Sequence, residues 1–297
     1  MGDFAMTDVS VIGLGQMGVR LVELLREAGR TVMVWNRSAA KAAATGAELA
    51  GSPAEAVMAS SVTLVIVADD EAVGAILDSP GMTAAAAGRI LVNLGTSGPD
   101  AARGFAGQVT AAGGSYVDGA IQAAPSQMGQ PDTPVLLAGS RRAYAAVEPL
   151  LGILAGNLVY LGEEPDAVAY MDLATLSYVY GAYAGFLHGA RIAEATGIDP
   201  AVYGRLVNAI SPSFGAFFEH QGGVIASGDF AISESPMRIS VAAVDRIARA
   251  SAALGINREL PDLVDGWLAR ADAQGLADQE LAALIKVLRG EPESIAA

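Results

Sequence analysis

The sequence predicts an α/β N-terminal domain, built on a wound parallel sheet, followed by an all-α C-terminal domain that a long interdomain helix joins to it. Short β-branched runs alternate with Ala-rich segments through the first half of the chain. This alternation is typical of βαβ units. After Leu161 such runs stop, and the pattern becomes helical.

The predicted strands all belong to the first half. They are Val9–Ile12, Thr31–Trp35, Val62–Val67, Ile90–Asn93, Tyr116–Asp118, Val135–Ala138 and Leu158–Leu161. Glycine and proline mark the helices between them: Gly29 follows the first helix, and Pro53 and Pro99 stand at first-turn positions of two others.

The second half begins with a Pro- and Gly-containing link, Gly162–Asp166, into a helix that should run to about Thr196. We place the domain boundary near residue 163, which gives domains of residues 1–163 and 164–297. The uncharged stretch Leu173–Ala190 has the length of a membrane span. Because it carries three tyrosines, we expect a helix buried between protein surfaces instead.

Composition narrows the function classes. The chain has 297 residues, of which 52% are hydrophobic and 17% charged, enough to fold around a large core. With 18 basic and 32 acidic residues, the net charge of −14 has the wrong sign for nucleic-acid binding.

Cysteine is absent and the two histidines are far apart, so no metal site is expected. Residues 1–7 lack the apolar core of a signal peptide, and we expect a cytoplasmic protein.

A glycine-rich turn lies directly after the first strand. It reads Gly13, Leu14, Gly15, Gln16, Met17, Gly18, a GxGxxG motif that opens the first helix. In a Rossmann-type domain the first glycine permits the tight turn, the second lets a pyrophosphate approach the backbone, and the third lets helix pack on strand. The position of the motif between strand and helix therefore predicts dinucleotide binding.

The end of the second strand predicts which dinucleotide binds. A carboxylate there would accept the ribose hydroxyl of NAD, but the sequence has Asn36, Arg37 and Ser38, with Lys41 one turn later. A guanidinium and neutral donors suit a 2′-phosphate, so NADP is favoured. The alternative is that Ser38 only caps the next helix and Arg37 is a solvated surface charge.

The next two strand ends should also face the cofactor, because ligands bind at the carboxyl edge of open α/β sheets. The residues at these ends are Val67, Ala68 and Asp69 after the third strand, and Asn93, Gly95 and Thr96 after the fourth. Asp69 can equally be the acidic start of a helix, where it would favour the helix dipole.

Four motifs together carry a family resemblance. They are Gly13–Gly18, Val34–Ser38, Asp118–Ile121 followed by Pro125, and Gly185–Ala190. Across its whole length the chain resembles the β-hydroxyacid dehydrogenase superfamily, and within it the NADPH-dependent imine reductases and reductive aminases. It departs from the family in the turn Leu94–Pro99, where a glycine replaces one hydroxyl residue.

The resemblance implies a catalytic position on the interdomain helix. Counted back from Gly197-Ile198-Asp199, the lysine of the hydroxyacid enzymes is replaced here by Asp172. A lysine suits an oxyanion, whereas a carboxylate favours a protonated iminium. We therefore expect NADPH-dependent reduction of imines, with Asp172 as proton donor or iminium stabiliser. An N-terminal helix charge or a partner for an arginine is the structural alternative.

Further site residues come from the same resemblance. Tyr180 matches a second position that lines the active site, about 80° around and ~12 Å along the helix from Asp172. It could hydrogen-bond the substrate amine. The candidates for the substrate pocket are Gln122, Leu176, Phe214 and Met237.

The resemblance also implies an intertwined, domain-swapped homodimer, in which the NADP-binding domain of one chain and the helical dimerisation and substrate domain of the other form each active site. This predicts that Asp172 serves NADPH held by the partner. The substrate would be a cyclic imine or a ketone plus amine. Two alternatives remain at this stage: a hydroxyacid-type dehydrogenase without the usual lysine, and a non-catalytic NADP-binding regulator.

Overall fold

The computed structural model describes residues 7–232 and 235–290. The chain forms two compact units that divide between Ser177 and Tyr178, inside one long helix. The boundary near residue 163 stays a prediction.

The first unit alternates strands and helices. In chain order its elements are β1 (Val9–Ile12), α1 (Gln16–Glu27), β2 (Val32–Trp35), α2 (Ala39–Ala43), β3 (Glu48–Leu49), α3 (Pro53–Ala59), β4 (Val62–Val65), α4 (Asp70–Leu77), α5 (Met82–Ala86), β5 (Ile90–Asn93), α6 (Pro99–Ala111), β6 (Ser115–Ile121), a 3₁₀ turn (Pro125–Gln127), β7 (Pro134–Gly139), α7 (Arg141–Leu151), β8 (Asn157–Tyr160) and the start of α8 (Ala167–Ala195). The predicted α/β class is confirmed.

The strands form one sheet in the order β3-β2-β1-β4-β5-β6-β7-β8. The strand order reverses at β1 and β4, and ligands bind beside such a switch point in open α/β sheets. Helices cover both faces. One core contains Leu21 and Leu25 of α1 and Val147 of α7, and the other contains Val57 of α3 and Phe105 of α6.

The sheet differs from the expectation of a wholly parallel one. β6 and β7 pair antiparallel, with Asp118 opposite Ala138. Only the short 3₁₀ turn separates them, and no crossover helix returns the chain to the opposite end of the sheet. A parallel connection needs such a crossover, so the chain turns back directly.

The sequence pattern also missed β3. Its two residues, Glu48 and Leu49, are both exposed and pair with β2 at the edge of the sheet. A strand this short, with no buried face, has no period-2 pattern to recognise.

The second unit is helical. It contains the remainder of α8, then α9 (Pro200–Ser227), α10 (Met237–Ala253), α11 (Glu259–Ala273), a 3₁₀ turn (Leu281–Leu284) and α12 (Ile285–Leu288). Its core gathers Phe230, Leu268 and Ala283. Among the described helices, none combines the length and hydropathy that a membrane span needs.

Candidate active site

The three glycines of the GxGxxG turn occupy three different environments. A Cβ on Gly13, whose φ is 100°, would lie 2.1 Å from the Ile66 carbonyl oxygen. A Cβ on Gly18 would lie 2.0 Å from the Gly13 carbonyl oxygen. A Cβ on Gly15 would meet no described atom within 4 Å. The first and third glycines are thus required for folding, whereas the second leaves open space in which a pyrophosphate can reach the backbone.

The remaining residues of the turn divide between packing and exposure. Leu14 is buried, and its backbone N–H donates to Asn36 Oδ1 at 3.0 Å. The side chain and the amide of Leu14 are thus both occupied within the chain, and its contact with the cofactor stays a prediction. Gln16 is exposed at the first position of α1, and Met17 packs partly against the core. Amides at a helix start attract phosphate.

The end of β2 presents exposed basic and hydroxyl groups. Arg37, Ser38 and Lys41 are all exposed, and neither cation forms an ion pair within the described part of the chain. Ser38 precedes α2 but makes no side-chain capping hydrogen bond. The structure therefore does not support a capping role for the Ser38 side chain, and the roles of Ser38 and Arg37 in cofactor binding stay predictions. These residues fit a 2′-phosphate, and Asn36 connects them to the glycine turn, since its Nδ2 donates to the Ser38 carbonyl oxygen at 3.1 Å.

The loops after β4 and β5 approach each other closely: a Cβ on Gly95 would lie 3.0 Å from the Val67 carbonyl oxygen. Asp69 caps α4, accepting from the Ala72 N–H at 2.8 Å, which is the structural role the sequence left open. Ala68 and Thr96 are exposed. Contacts of Val67, Ala68, Asp69, Gly95 and Thr96 with the cofactor stay predictions.

Asn93 is buried within the sheet edge, and its contact with the cofactor stays a prediction. It is 1% exposed, and its Oδ1 accepts from the Gly95 N–H at 3.2 Å. Its Nδ2 donates to Ser97 Oγ at 3.0 Å and to Asp118 Oδ1 at 3.4 Å. The side chain is buried because it fastens the loop after β5 to the neighbouring strand.

Asp118 is a buried acid in the middle of β6. It is 1% exposed and accepts a hydrogen bond from the Tyr116 hydroxyl at 2.9 Å. Burial, first of all, and the charges of Asp70 and Asp172 raise the pKa of Asp118 to about 7, against the hydrogen bonds from Tyr116 and Asn93, which lower it. Burial, first of all, also raises the pKa of Tyr116 well above its ordinary value.

Asp172 lies in the first two turns of α8 and is only 8% exposed. Its Oδ1 accepts from Gln122 Nε2 at 2.6 Å, and Gln122 directly follows β6. Thr175 Oγ1 donates to Gln122 Oε1 at 2.8 Å. No arginine or lysine of the described residues forms an ion pair with Asp172. The role of arginine partner is therefore not supported.

That Asp172 serves a cofactor held by the partner chain stays a prediction. Within its own chain, the carboxylate is bound to Gln122 at the carboxyl end of β6. It therefore borders the edge of its own sheet, where the glycine turn also lies.

The other pocket candidates lie in different surroundings. Leu176 is half-buried. In the helical unit, Tyr180 is 68% exposed and Phe214 is 48% exposed. Met237 is fully buried with Phe230 and Leu268. A flexible apolar side chain at helical spacing is usually part of the core, and the place of Met237 in the substrate pocket stays a prediction.

The structure adds residues that the sequence reasoning did not select: Thr175 beside Gln122, and Tyr116 with Asp118. The sequence does contain an indication of the pair Tyr116 and Asp118. Asp118 interrupts an otherwise apolar strand, and a charged residue there is costly unless it is hydrogen-bonded. Thr175 gave no such signal, because a threonine in a helix usually bonds only to its own backbone.

Comparison with known proteins gives the family. Residues 8–162 match the NAD binding domain of 6-phosphogluconate dehydrogenase, and residues 164–290 match the C-terminal domain of NADPH-dependent reductive aminase-like proteins. The structure of an imine reductase from Pseudomonas sp. is 30% identical, with a TM-score of 0.83, and the match covers 95% of this chain and 99% of that one. The chain belongs to the imine reductase and reductive aminase family.

Two further relatives agree with this imine reductase assignment. The NADPH-dependent reductive aminase of Aspergillus oryzae (strain ATCC 42149 / RIB 40) is 28% identical over 288 residues, which are 95% of this chain and 97% of that protein. The reductive aminase from Aspergillus terreus in complex with NADPH4, cyclohexanone and allyl amine is 29% identical, with a TM-score of 0.82, covering 96% of this chain and 100% of that one.

Family membership confirms the expected function class, an NADP-dependent oxidoreductase that acts on C=N bonds, and the expected cofactor, NADPH. The hydroxyacid-type dehydrogenase and the non-catalytic regulator are not favoured.

Proposed function

We propose that this imine reductase reduces cyclic imines, and imines formed from a ketone plus an amine, with Asp172 as proton donor or iminium stabiliser. The observation that carries the proposal is the environment of Asp172. The carboxyl group is nearly buried, has an amide on one oxygen, and has no cation paired with it among the described residues. Such a group is costly to keep unless a cationic ligand completes it.

The sign of the charge selects the substrate. An imine that takes a proton becomes a cationic iminium, and a carboxylate beside it favours that protonated, electrophilic form. A ketone would instead develop negative charge on oxygen, which Asp172 would oppose. Asp172 therefore either gives its proton to the imine nitrogen and later takes a new proton from water, or, as a carboxylate, holds the iminium by charge without losing a proton.

The residues that would hold NADPH follow from the geometry. The open space at Gly15 and the start of α1 suit the pyrophosphate. Arg37, Ser38 and Lys41 would bind the 2′-phosphate. When bound, NADPH supplies the hydride that reduces the imine carbon. The role of Tyr180 in binding the substrate amine stays a prediction.

A homodimer is part of the proposal. The helical unit exposes large apolar side chains on successive helices, among them Tyr178, Leu187, Leu206 and Ile247. Monomeric proteins seldom leave such surfaces uncovered, and a second copy of the chain is the simplest cover. We propose that the helical domain of the partner completes the substrate pocket beside each Asp172.

The central experiment is an NADPH-consumption assay with a 1-pyrroline-type imine and with a ketone plus amine pair. Asp172→Asn and Asp172→Ala are run beside the natural enzyme. We expect kcat to fall by about 100-fold or more, the range that a positioned acid supplies. The dissociation constant for NADPH should stay unchanged. Full activity of both variants, or a preference for ketones and alcohols over imines, would overturn the proposal.

Mixed dimers test which chain's cofactor Asp172 serves. A subunit with Gly15→Trp, which should not bind NADPH, is combined with an Asp172→Ala subunit. If Asp172 acts in its own chain, neither active site of the mixed dimer is complete and no activity appears. Recovery of about half the natural activity per mixed dimer would show that Asp172 serves the partner.

A further inference from the structure

The hydroxyl of Thr175 has two acceptors within reach but only one proton. Its Oγ1 lies 2.8 Å from Gln122 Oε1 and 2.9 Å from the backbone carbonyl oxygen of Asp172. A hydroxyl donates one hydrogen bond and has lone pairs with which to accept another. Thr175 can therefore present to Gln122 either its proton or a lone pair.

Gln122 extends this choice to the carboxyl group. Its amide carries a donor and an acceptor on one planar group, and rotation of the amide by half a turn exchanges them. One end of the amide faces Thr175, and the other end faces Asp172 Oδ1 at 2.6 Å. The direction of the Thr175 proton and the orientation of the amide are thus coupled.

In the first arrangement, the Asp172 oxygen that faces Gln122 carries no proton. Gln122 Nε2 donates to it, and the Thr175 hydroxyl donates to Gln122 Oε1. In the second arrangement, Asp172 presents an O–H group. The amide is then turned, so that its oxygen accepts from Asp172 and its N–H donates to Thr175 Oγ1, while the Thr175 hydroxyl donates to the Asp172 carbonyl oxygen. Every group keeps a partner in both arrangements.

We propose that Gln122 and Thr175 are positioning residues that keep the carboxyl group of Asp172 hydrogen-bonded both before and after it transfers a proton. A buried polar group left without a partner costs free energy. A neighbour that could only donate a hydrogen bond would satisfy ionised Asp172 but leave the O–H group of protonated Asp172 without an acceptor. The proposal rests on the catalytic role proposed for Asp172. For transfer, the Asp172 O–H group turns from Gln122 Oε1 to the imine nitrogen, whose lone pair takes the proton, and the carboxylate left behind accepts from the Gln122 N–H. The carboxylate later takes a proton from water, and no electrons are exchanged.

The test compares matched substitutions at the two positions. Thr175→Val removes the hydroxyl at nearly constant volume, Thr175→Ser keeps it, and Gln122→Met removes the amide. We expect Thr175→Val and Gln122→Met to lower kcat about tenfold, the factor that one hydrogen bond to a charged group supplies. KM for NADPH should not change, and Thr175→Ser should stay within about twofold of the natural kcat.

Two readouts separate this role from a merely structural one. The solvent deuterium isotope effect on kcat should rise in Thr175→Val and Gln122→Met, because proton transfer at Asp172 becomes slower. The double variant Gln122→Met/Thr175→Val should be no slower than Gln122→Met alone, since Thr175 acts through the amide. NADPH binding stoichiometry gives the folded fraction by which each kcat is corrected.

The outcomes also distinguish this inference from the proposed function. If Asp172→Asn is fully active, the catalytic role of Asp172 fails. If Asp172→Asn is inactive while Gln122→Met and Thr175→Val keep the natural kcat and isotope effect, only the positioning role is overturned. In the Asp172→Asn background, Gln122→Met should cause no further loss.

Discussion

The Tyr116 hydroxyl donates to Asp118 Oδ1 at 2.9 Å, inside a strand where both side chains are buried. The contact satisfies the carboxyl group but does not return the hydration it has lost, and burial raises the pKa of Asp118 to about 7. The folded protein therefore holds a proton near neutral pH that the unfolded chain releases.

This proton makes stability depend on pH. An unfolded aspartate ionises with a pKa near 3.8, so from about pH 4 to pH 7 the folded state binds more protons than the unfolded state, and stability falls as pH rises. Through this group alone, the free energy of unfolding should be about 2 to 3 kcal/mol lower at pH 8 than at pH 5.

Asp118→Asn should remove that dependence, because asparagine does not titrate. Urea unfolding at pH 5 and pH 8 measures the difference for both proteins. The variant should gain stability relative to the natural enzyme on going to pH 8. An identical pH dependence in both proteins would show that Asp118 does not hold the proton.

The glycine turn gives a second prediction. Gly15→Ala should leave thermal stability unchanged, because the added methyl group meets no described atom within 4 Å. It should weaken NADPH binding about tenfold or more by occupying the space of the pyrophosphate. Gly18→Ala is the matched control, since its methyl would clash with the Gly13 carbonyl oxygen and should lower the melting temperature. Equal effects of the two substitutions on stability would contradict these roles.

Discrimination between NADPH and NADH should depend on Arg37. Arg37→Ala should raise the dissociation constant for NADPH about tenfold or more and leave that for NADH nearly unchanged, because only NADPH carries the 2′-phosphate. Arg142, an exposed arginine of α7, supplies the control Arg142→Ala. Fluorescence titration with both cofactors measures the ratio. A parallel loss for NADPH and NADH would remove Arg37 from the phosphate site.

The apolar surface of the helical unit predicts a dimer that one charge can disrupt. Leu206 on α9 is 57% exposed. Leu206→Glu should convert a dimer to a monomer, since burying a carboxylate in an apolar interface costs several kcal/mol. Light scattering after gel filtration measures the mass, and imine turnover should fall while NADPH binding persists. A natural protein that is monomeric at micromolar concentration would rule out the interface.

Much of the fold could be predicted from the sequence because its signals are local. The β-branched strands, the glycine turn and the proline-started helices each contain their own pattern. The antiparallel pairing of β6 with β7 could not be predicted, because a strand's direction depends on the path of its connection. The edge strand β3 could not be predicted either, because a two-residue strand has no buried face.

The sequence could predict a site residue where the chemical type of its side chain indicates its role, but it could not predict the contacts between site residues. Asp172 and Gln122 were selected, but their mutual contact was not, because it joins residues fifty positions apart. Asn93 and Leu14 were placed at the correct edge of the sheet, but their bonds within the chain were not predicted. Their polar groups turned inward to secure neighbouring loops, and a sequence does not reveal which way such groups turn.

The bond between Asn36 and the Leu14 amide constrains how coenzyme preference can evolve in this enzyme. Any residue at position 36 has to offer an oxygen to that amide, or the glycine turn loses an anchor. Aspartate satisfies this requirement and also repels a 2′-phosphate. One exchange, Asn36→Asp, is thus a mutational step toward NADH that keeps the bond to the Leu14 amide and gives up only the bond to the Ser38 carbonyl oxygen, whereas an apolar residue at that position would weaken the binding of either coenzyme.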